Sequence, residues 1–455
     1  MPWACWPDSK TPEPMAVSSP AAALPAARGL YHGTKVVIAL FLAGFVVYGG
    51  GLYSFVLFVP PLTAEFHWSR AATSGLVTAF WLSAPMILFG GAAIERFGAI
   101  RLLIAGIVIE ALCVSLLATV GTFGEMYLLR AAMGFGKVMF AVTLPYVVSR
   151  WFARHYSLGL GVVWSGWQFG GLVLAPVTGE IIVRYGWRTA CLAIAAGLLT
   201  LALVPVLATM RPRAPSDLGV GLDGDALRSA SGNAPPGAAA PGAAPAARAG
   251  GAAQSMRILV CAPMFWLIAL ATVFFYTTYG GLLTHEASIV EGAGFSPRLA
   301  SVVLGSTAGF AGLGSLSVGW LLDRHSIRWV GVGLHVLLLA GAVSLLLVDR
   351  VHSPVALVTY AAFFGVTIGG SDVYFVAVLR RRFAAISVAH SYSAWYFCEI
   401  LTLLLAGPAA GRIFDLTGNY AATLALLAGS AGLAFLCSYF VWRPVGLARD
   451  ARLPV

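Results

Sequence analysis

The sequence predicts an all-α membrane protein whose twelve transmembrane helices form two parallel six-helix repeats around a central cavity. Three observations predict it. Hydrophobic residues make up 59% of the 455 and charged residues only 10%, against about 25% charged in ordinary soluble domains, so a water-soluble fold could not hide the apolar surface. The apolar residues fall in blocks of roughly 20 to 27, each long enough for a helix rising about 1.5 Å per residue to cross a hydrocarbon layer of about 30 Å. Finally, four short motifs recur at nearly constant spacing, whereas the alternating pattern of a closed barrel of strands is absent.

Residues 1–34 are rich in Pro, Ala and Ser and hold no apolar core beside a small-residue cleavage site, so a retained tail is expected rather than a removable signal. A first bundle is expected over residues 35–210, with blocks at Val36–Pro60, Ala71–Ile94, Ile100–Val120, Met126–Val148, Ser157–Val183 and Thr189–Thr209. Over residues 211–257 the composition turns to Pro, Ala and Gly, which cannot bury enough apolar surface to order itself, and a linker is expected. The second bundle, 258–443, holds Ile258–Thr284, Leu299–Leu322, Trp329–Val348, Val355–Leu379, Val388–Ala410 and Ala421–Val441, and a tail of 444–455 follows. The 52 glycines and 24 prolines fit membrane helices, where small residues permit close approach and neighbours re-satisfy freed backbone groups.

Charge sets the orientation. With both termini cytoplasmic, twenty of the 28 Lys and Arg residues fall on that side, six lie in the opposite loops, and Arg130 and Lys137 lie inside a block. This is the positive-inside pattern. It accounts for the net charge of +10, so the partner is the lipid bilayer and no nucleic acid is expected. The six cysteines are scattered without metal or disulfide spacing, and no metal or cofactor is expected.

The halves repeat one another. Arg70 returns as Arg298, and Gly91, Glu95 and Arg96 return as Gly319, Asp323 and Arg324, all at an offset of 228. Pro176, Gly179 and Gly186 return as Pro408, Gly411 and Gly418, and Arg150-Trp151 returns as Arg382-Phe383, at an offset of 232. An even number of helices per repeat keeps the orientation, so the repeats are parallel.

On these residues the chain resembles the major facilitator superfamily, whose conserved second loop is similar to "GAAIERFGAIR" (Gly91–Arg101) with Glu95 where Asp is usual. The stretches Tyr48–Ala72, Leu144–Pro176 and Gly411–Tyr420 resemble its bacterial monocarboxylate-porter and oxalate/formate-antiporter branch. The resemblance implies rocking of two bundles, a carboxylate substrate, coupling to protons or a counter-anion, a bacterial inner membrane and a monomer. It departs from that branch in three places. No charge lies between Arg298 and Asp323, Glu399 stands where a Lys is usual in the antiporters, and a Glu-Gly-Asp motif reads Gly370-Ser371-Asp372.

Charges within a membrane block must pair or face water. Arg130, Gly134, Lys137, Ala141 and Pro145 recur every three or four residues on one stripe, which could hold an anion or lock helix pairs through salt bridges. The repeat carries Lys137 to residue 369, about 4.5 Å in depth from Asp372, so Lys137 and Asp372 could pair across the cavity, or Asp372 could cap a kink at Gly369-Gly370. Glu399 shares a face with Tyr392 and Tyr396, with Trp395 alongside; it is the main candidate for proton coupling, the other reading being a fixed bridge to a cation. The repeat pairs Glu399 with Trp167-Gln168, where Trp164, Gln168 and Gly171 form a second cavity-like stripe, and Trp164 and Trp167 are open to reading as ligand site or packing. The resemblance places Tyr48, Tyr276 and Tyr279 on cavity-lining helices, where they could hydrogen-bond a carboxylate or lie as interfacial rings. Glu95, Arg96, Arg101, Asp323 and Arg324 read as a cytoplasmic latch, while His390, His285 and Glu286 read as solvated helix ends. Glu110 has no functional account at this level.

No Gly-rich phosphate loop and no clustered metal or nucleophile set is present, which argues against an ATP-driven pump and an embedded enzyme. The expectation is a secondary carrier of a small organic anion, the alternatives being an exchanger of other small solutes or dicarboxylates and a transport-dead sensor.

Overall fold

Backbone crossing a hydrocarbon layer must satisfy its own hydrogen bonds, and the chain meets this demand with helix. The computed structural model describes residues 30–68, 76, 79–212, 214–225, 252–351, 353–418 and 420–442, and no extended strand occurs among them. The expected tails, the Arg70 motif and the central part of the linker lie wholly or largely outside the described residues.

The first half contains α1 (His32–Gly51), which passes through a 3-10 stretch (Tyr53–Phe58) into α2 (Val59–Phe66). A 3-10 stretch (Phe80–Phe89) continues as α3 (Gly90–Phe97), followed by α4 (Ala99–Leu117), α5 (Phe123–Trp151), α6 (Tyr156–Tyr185), α7 (Trp187–Gly197), a π turn (Leu198–Leu203) and α8 (Val204–Thr209). The second half contains α9 (Ala252–Cys261), α10 (Pro263–Gly292), α11 (Pro297–Arg324), α12 (Ile327–Val351), α13 (Pro354–Arg382), α14 (Val388–Thr417) and α15 (Tyr420–Val441). Eleven segments among the described residues are long and apolar enough to span. The remaining expected block, Ala71–Ile94, is described mainly from Ala79 onward, and Pro85 within it removes a backbone donor where the helix is wound as 3-10.

Local chemistry explains the starts. Thr122 and Glu125 form a reciprocal capping box on α5. Ser296 and Ser353 accept from the amides of Leu299 and Val355 ahead of a first-turn proline in α11 and α13. We call the face where α1 begins proximal and the opposite face distal.

Two expectations are corrected. Helix α10 runs on to Gly292 instead of ending near Thr284, so Glu286 is fully buried, accepting from the Thr307 hydroxyl at 2.7 Å, and is no solvated helix end. Residues 214–225 of the expected linker are held in place, because the Asp223 carboxylate accepts from the amides of Ala153, Arg154 and His155.

Helix α1 packs along α6, α4 along α5, α11 along α13, and α10 along α14 and α15. Contact between the halves runs mainly through α6 and α11 and through α14 against the Phe80–Phe89 stretch. Close approach depends on missing side chains: a Cβ on Gly49 would lie 2.5 Å from the Gly170 backbone.

Candidate functional site

A cavity of about 220 Å³ lies between the halves. Lys137 reaches it because α5 can press against the second span: a Cβ on Gly134 would lie 1.9 Å from the Phe80 carbonyl oxygen, a distance only glycine permits. That contact brings the Trp81 ring centroid to 4.1 Å from the Lys137 ammonium. Tyr48, Tyr396 and Phe80 add ring centroids at 5.4, 5.5 and 5.8 Å. Ring faces attract a cation without neutralising it. Lys137 makes no ion pair within 4.0 Å among the described residues; the expected pairing with Asp372 is not formed.

The cage joins the two halves. Tyr48 stacks on Trp167 with centroids 3.8 Å apart, and its hydroxyl lies 3.5 Å from that of Tyr396, which stacks on Tyr392. The second half supplies the carboxyls. Asp372 accepts from the Tyr276 hydroxyl at 2.5 Å and from Ser371 at 3.4 Å, while Oε2 of buried Glu399 has no hydrogen-bond partner among the described residues.

Of the expected site residues, Lys137, Tyr48, Gln168, Tyr279, Tyr396, Asp372 and Glu399 line the cavity. Tyr276 is one step back, orienting Asp372. Trp164 is buried edge-on against Trp167 and does not reach the cavity. Arg130 is likewise off the cavity: it is fully buried, donates to the carbonyls of Gly51 and Leu76, and lies 3.6 Å over the Phe55 ring. Glu110 lies against the same Gly51, fully buried, with neither oxygen hydrogen-bonded among the described residues. Trp81 and Tyr53 line the cavity unanticipated. A signal existed for Trp81, a tryptophan near the middle of an apolar block and away from the interfaces where that residue usually collects.

On the proximal side two carboxylates reach across between the halves. Asp323 at the end of α11 accepts from the amides of Ser157 and Leu158 at 3.0 and 2.9 Å, capping the start of α6. Below it, a Cβ on Gly161 would lie 2.3 Å from the Ser315 carbonyl oxygen. Glu95 lies 3.6 Å from Nδ1 of His390, which is buried against Gly91 and is no solvated helix end. The basic members of the expected latch do not join it: Arg96 and Arg324 lie over Phe97 and Trp320 of their own helices, and Arg101 makes no ion pair among the described residues.

A family model described as Major Facilitator Superfamily matches residues 40–399. The chain belongs to the Major Facilitator Superfamily. Among relatives of this Major Facilitator Superfamily transporter, Monocarboxylate transporter 13 of Bos taurus is 25% identical over 427 residues, 90% of each chain. Monocarboxylate transporter 12 of Rattus norvegicus is 24% identical over 337 residues, 72% of this chain and 69% of its own. The Major Facilitator Superfamily fold is also seen in the crystal structure of FucP of E. coli in the outward conformation, similar at a TM-score of 0.66 and 14% identity over 89% of this chain and 98% of that one.

Proposed function

We propose that this superfamily transporter carries a small organic anion, a monocarboxylate, by alternating access, with a proton moving alongside it. The observation that carries the reading is Lys137, a cavity cation surrounded by ring faces and without an ion pair among the described residues. A carboxylate cargo supplies the missing counter-charge. A volume of about 220 Å³ is below the roughly 300–1,000 Å³ of pockets for drug-sized ligands, which favours a small cargo. The names of the mammalian relatives support the acid class.

Charge balance supports coupling. One ammonium faces two carboxyls, Asp372 and Glu399, and an incoming anion would add a third negative group in a medium of low dielectric. A proton taken up on one carboxyl with the anion offsets that charge. The carboxyls that reach across on the proximal side, Asp323 and Glu95, would then let go as the two bundles, 35–210 and 258–443, rock to the other orientation. This reading places both termini in the cytoplasm of a bacterial cell, with the chain a monomer in its inner membrane.

The test is uptake of labelled lactate, pyruvate and benzoate into proteoliposomes under an inward acid gradient. The wild type is expected to accumulate at least one of them, and Lys137→Ala to retain under a tenth of that uptake while remaining monodisperse. Normal uptake by Lys137→Ala removes the residue from the site, and no uptake of any acid by folded wild type excludes the monocarboxylate class.

A further inference from the structure

Basic side chains gather without acids at the proximal ends of α12, α13 and α15. A surface cleft there, too narrow to admit a molecule, is lined by Arg328 and His335 on one wall and Ser438, Tyr439 and Trp442 on the other, and it shares no residue with the central cavity. The Arg328 guanidinium lies 5.4 Å from the Trp329 ring centroid and 5.6 Å from that of Tyr439. Arg382 reaches the same end from α13, lying 4.7 Å over the Trp442 ring and donating to the Val441 carbonyl. Neither arginine has a carboxylate within 4.0 Å among the described residues. Their Nε atoms, and Nε2 of fully buried His335, are enclosed without a hydrogen-bond partner among the described residues.

Depth and surroundings narrow the ligand. Trp329, the residue after Arg328, is 65% exposed, and such a ring settles at the boundary between hydrocarbon and water. Deeper along the same two helices, Val336, Leu339 and Val343 of α12 and Leu433 and Leu436 of α15 present an exposed apolar surface. The place therefore asks for an anion at headgroup depth with hydrocarbon attached below it. Guanidinium forks match phosphate oxygens, and basic pockets between spanning helices take anionic headgroups.

We propose that the phosphodiester of an anionic phospholipid from the proximal leaflet lies on the surface over the cleft between α12 and α15, with Arg328 at the cleft and Arg382 beside Trp442 as its donors and the acyl chains along the apolar faces below. The site is independent of the cargo.

Thermal unfolding of the purified full-length protein in detergent tests it, with phosphatidylglycerol, phosphatidylcholine or inorganic phosphate added. Phosphatidylglycerol is expected to raise the midpoint by several degrees over phosphatidylcholine, with no rise from phosphate. Arg328→Gln should lose at least half of that rise, whereas Arg211→Gln, at an exposed proximal arginine, should keep it. Equal shifts from the two lipids overturn the proposal. So does an equal shift from phosphate alone, which marks a free-anion site, or an equal loss in Arg211→Gln, which marks general charge attraction. Native mass spectrometry of the wild type from mixed-lipid nanodiscs needs no variant: preferential retention of phosphatidylglycerol supports the site, and equal retention of both lipids overturns it.

Discussion

Lys137 and Arg130 show how much two like residues on one stripe can differ. Seven residues apart, they are separated by about 10.5 Å of depth. At the upper of these levels Arg130 finds two backbone carbonyls and a ring and is tied into the first half; at the other, Lys137 meets only ring faces and the cavity. The carboxyls divide in the same way. Glu399→Gln keeps the shape of a cavity group but removes its exchangeable proton, so accumulation driven by a pH gradient is expected to fall at least tenfold while counterflow exchange persists; unchanged accumulation would reject the coupling role. Glu110, enclosed with neither oxygen hydrogen-bonded among the described residues, gains nothing visible from its polarity. An apolar residue of similar length avoids its desolvation, so Glu110→Met should unfold at the same temperature or higher. A midpoint lowered by more than about 5 °C would show that the carboxyl has a structural partner, since about 1 kcal/mol moves the midpoint of a domain by a few degrees.

At the scale of elements, the start of α6 is gripped twice. Asp223 takes the amides just ahead of the helix, and Asp323 from the other half takes the amides of its first turn. Burial alone would push the Asp223 carboxyl up, but the amides of Arg154, Ala153 and His155, with the His155 ring, outweigh it and hold the group below the usual carboxylate range. A group lowered in this way contributes stability above its unfolded value of about 3.9 and loses it as the pH falls through its lower folded value. Asp223→Asn is accordingly expected to unfold at a lower temperature than wild type near neutral pH, with the gap closing below about pH 4. A gap that stayed constant into acid would mean that the charge of Asp223 is immaterial to the clip. The expected linker concealed this contact because its Pro, Ala and Gly composition carries no periodic signal, and the clip is made by one carboxylate whose partners lie about 70 residues away.

For the molecule as a whole, orientation is the most accessible consequence. In a cysteine-free background, a cysteine at Arg184, on the distal side, should react with an impermeant thiol reagent on intact cells, and one at Arg101, on the proximal side, only after permeabilisation. The reverse pattern would invert the proposed topology and with it the assignment of Asp323 and Glu95 to the cytoplasmic side. Much of the architecture was legible because a hydrocarbon layer imposes a length on every crossing and a compositional contrast at every end, both written locally in the chain. The duplication was legible for the same reason, through turn motifs such as Gly91, Glu95 and Arg96 and their counterparts.

The sequence by itself determined the class of fold, the spans, and the polar residues that had to be paired or wet, since burial in lipid forbids an unexplained charge wherever it falls. Tertiary structure alone decided which of them meet: that Lys137 and not Arg130 faces the cavity, that Trp81 completes its cage, that Asp372 bonds Tyr276 instead of the lysine, and that Asp323 takes backbone amides while Arg324 lies over Trp320. The physical reason is that helical periodicity gives a side chain a direction from its own axis, whereas what lies in that direction depends on how closely a neighbouring helix approaches, and here glycines at 134, on the helix of Lys137 itself, and at 161 and 170, on α6, govern that distance.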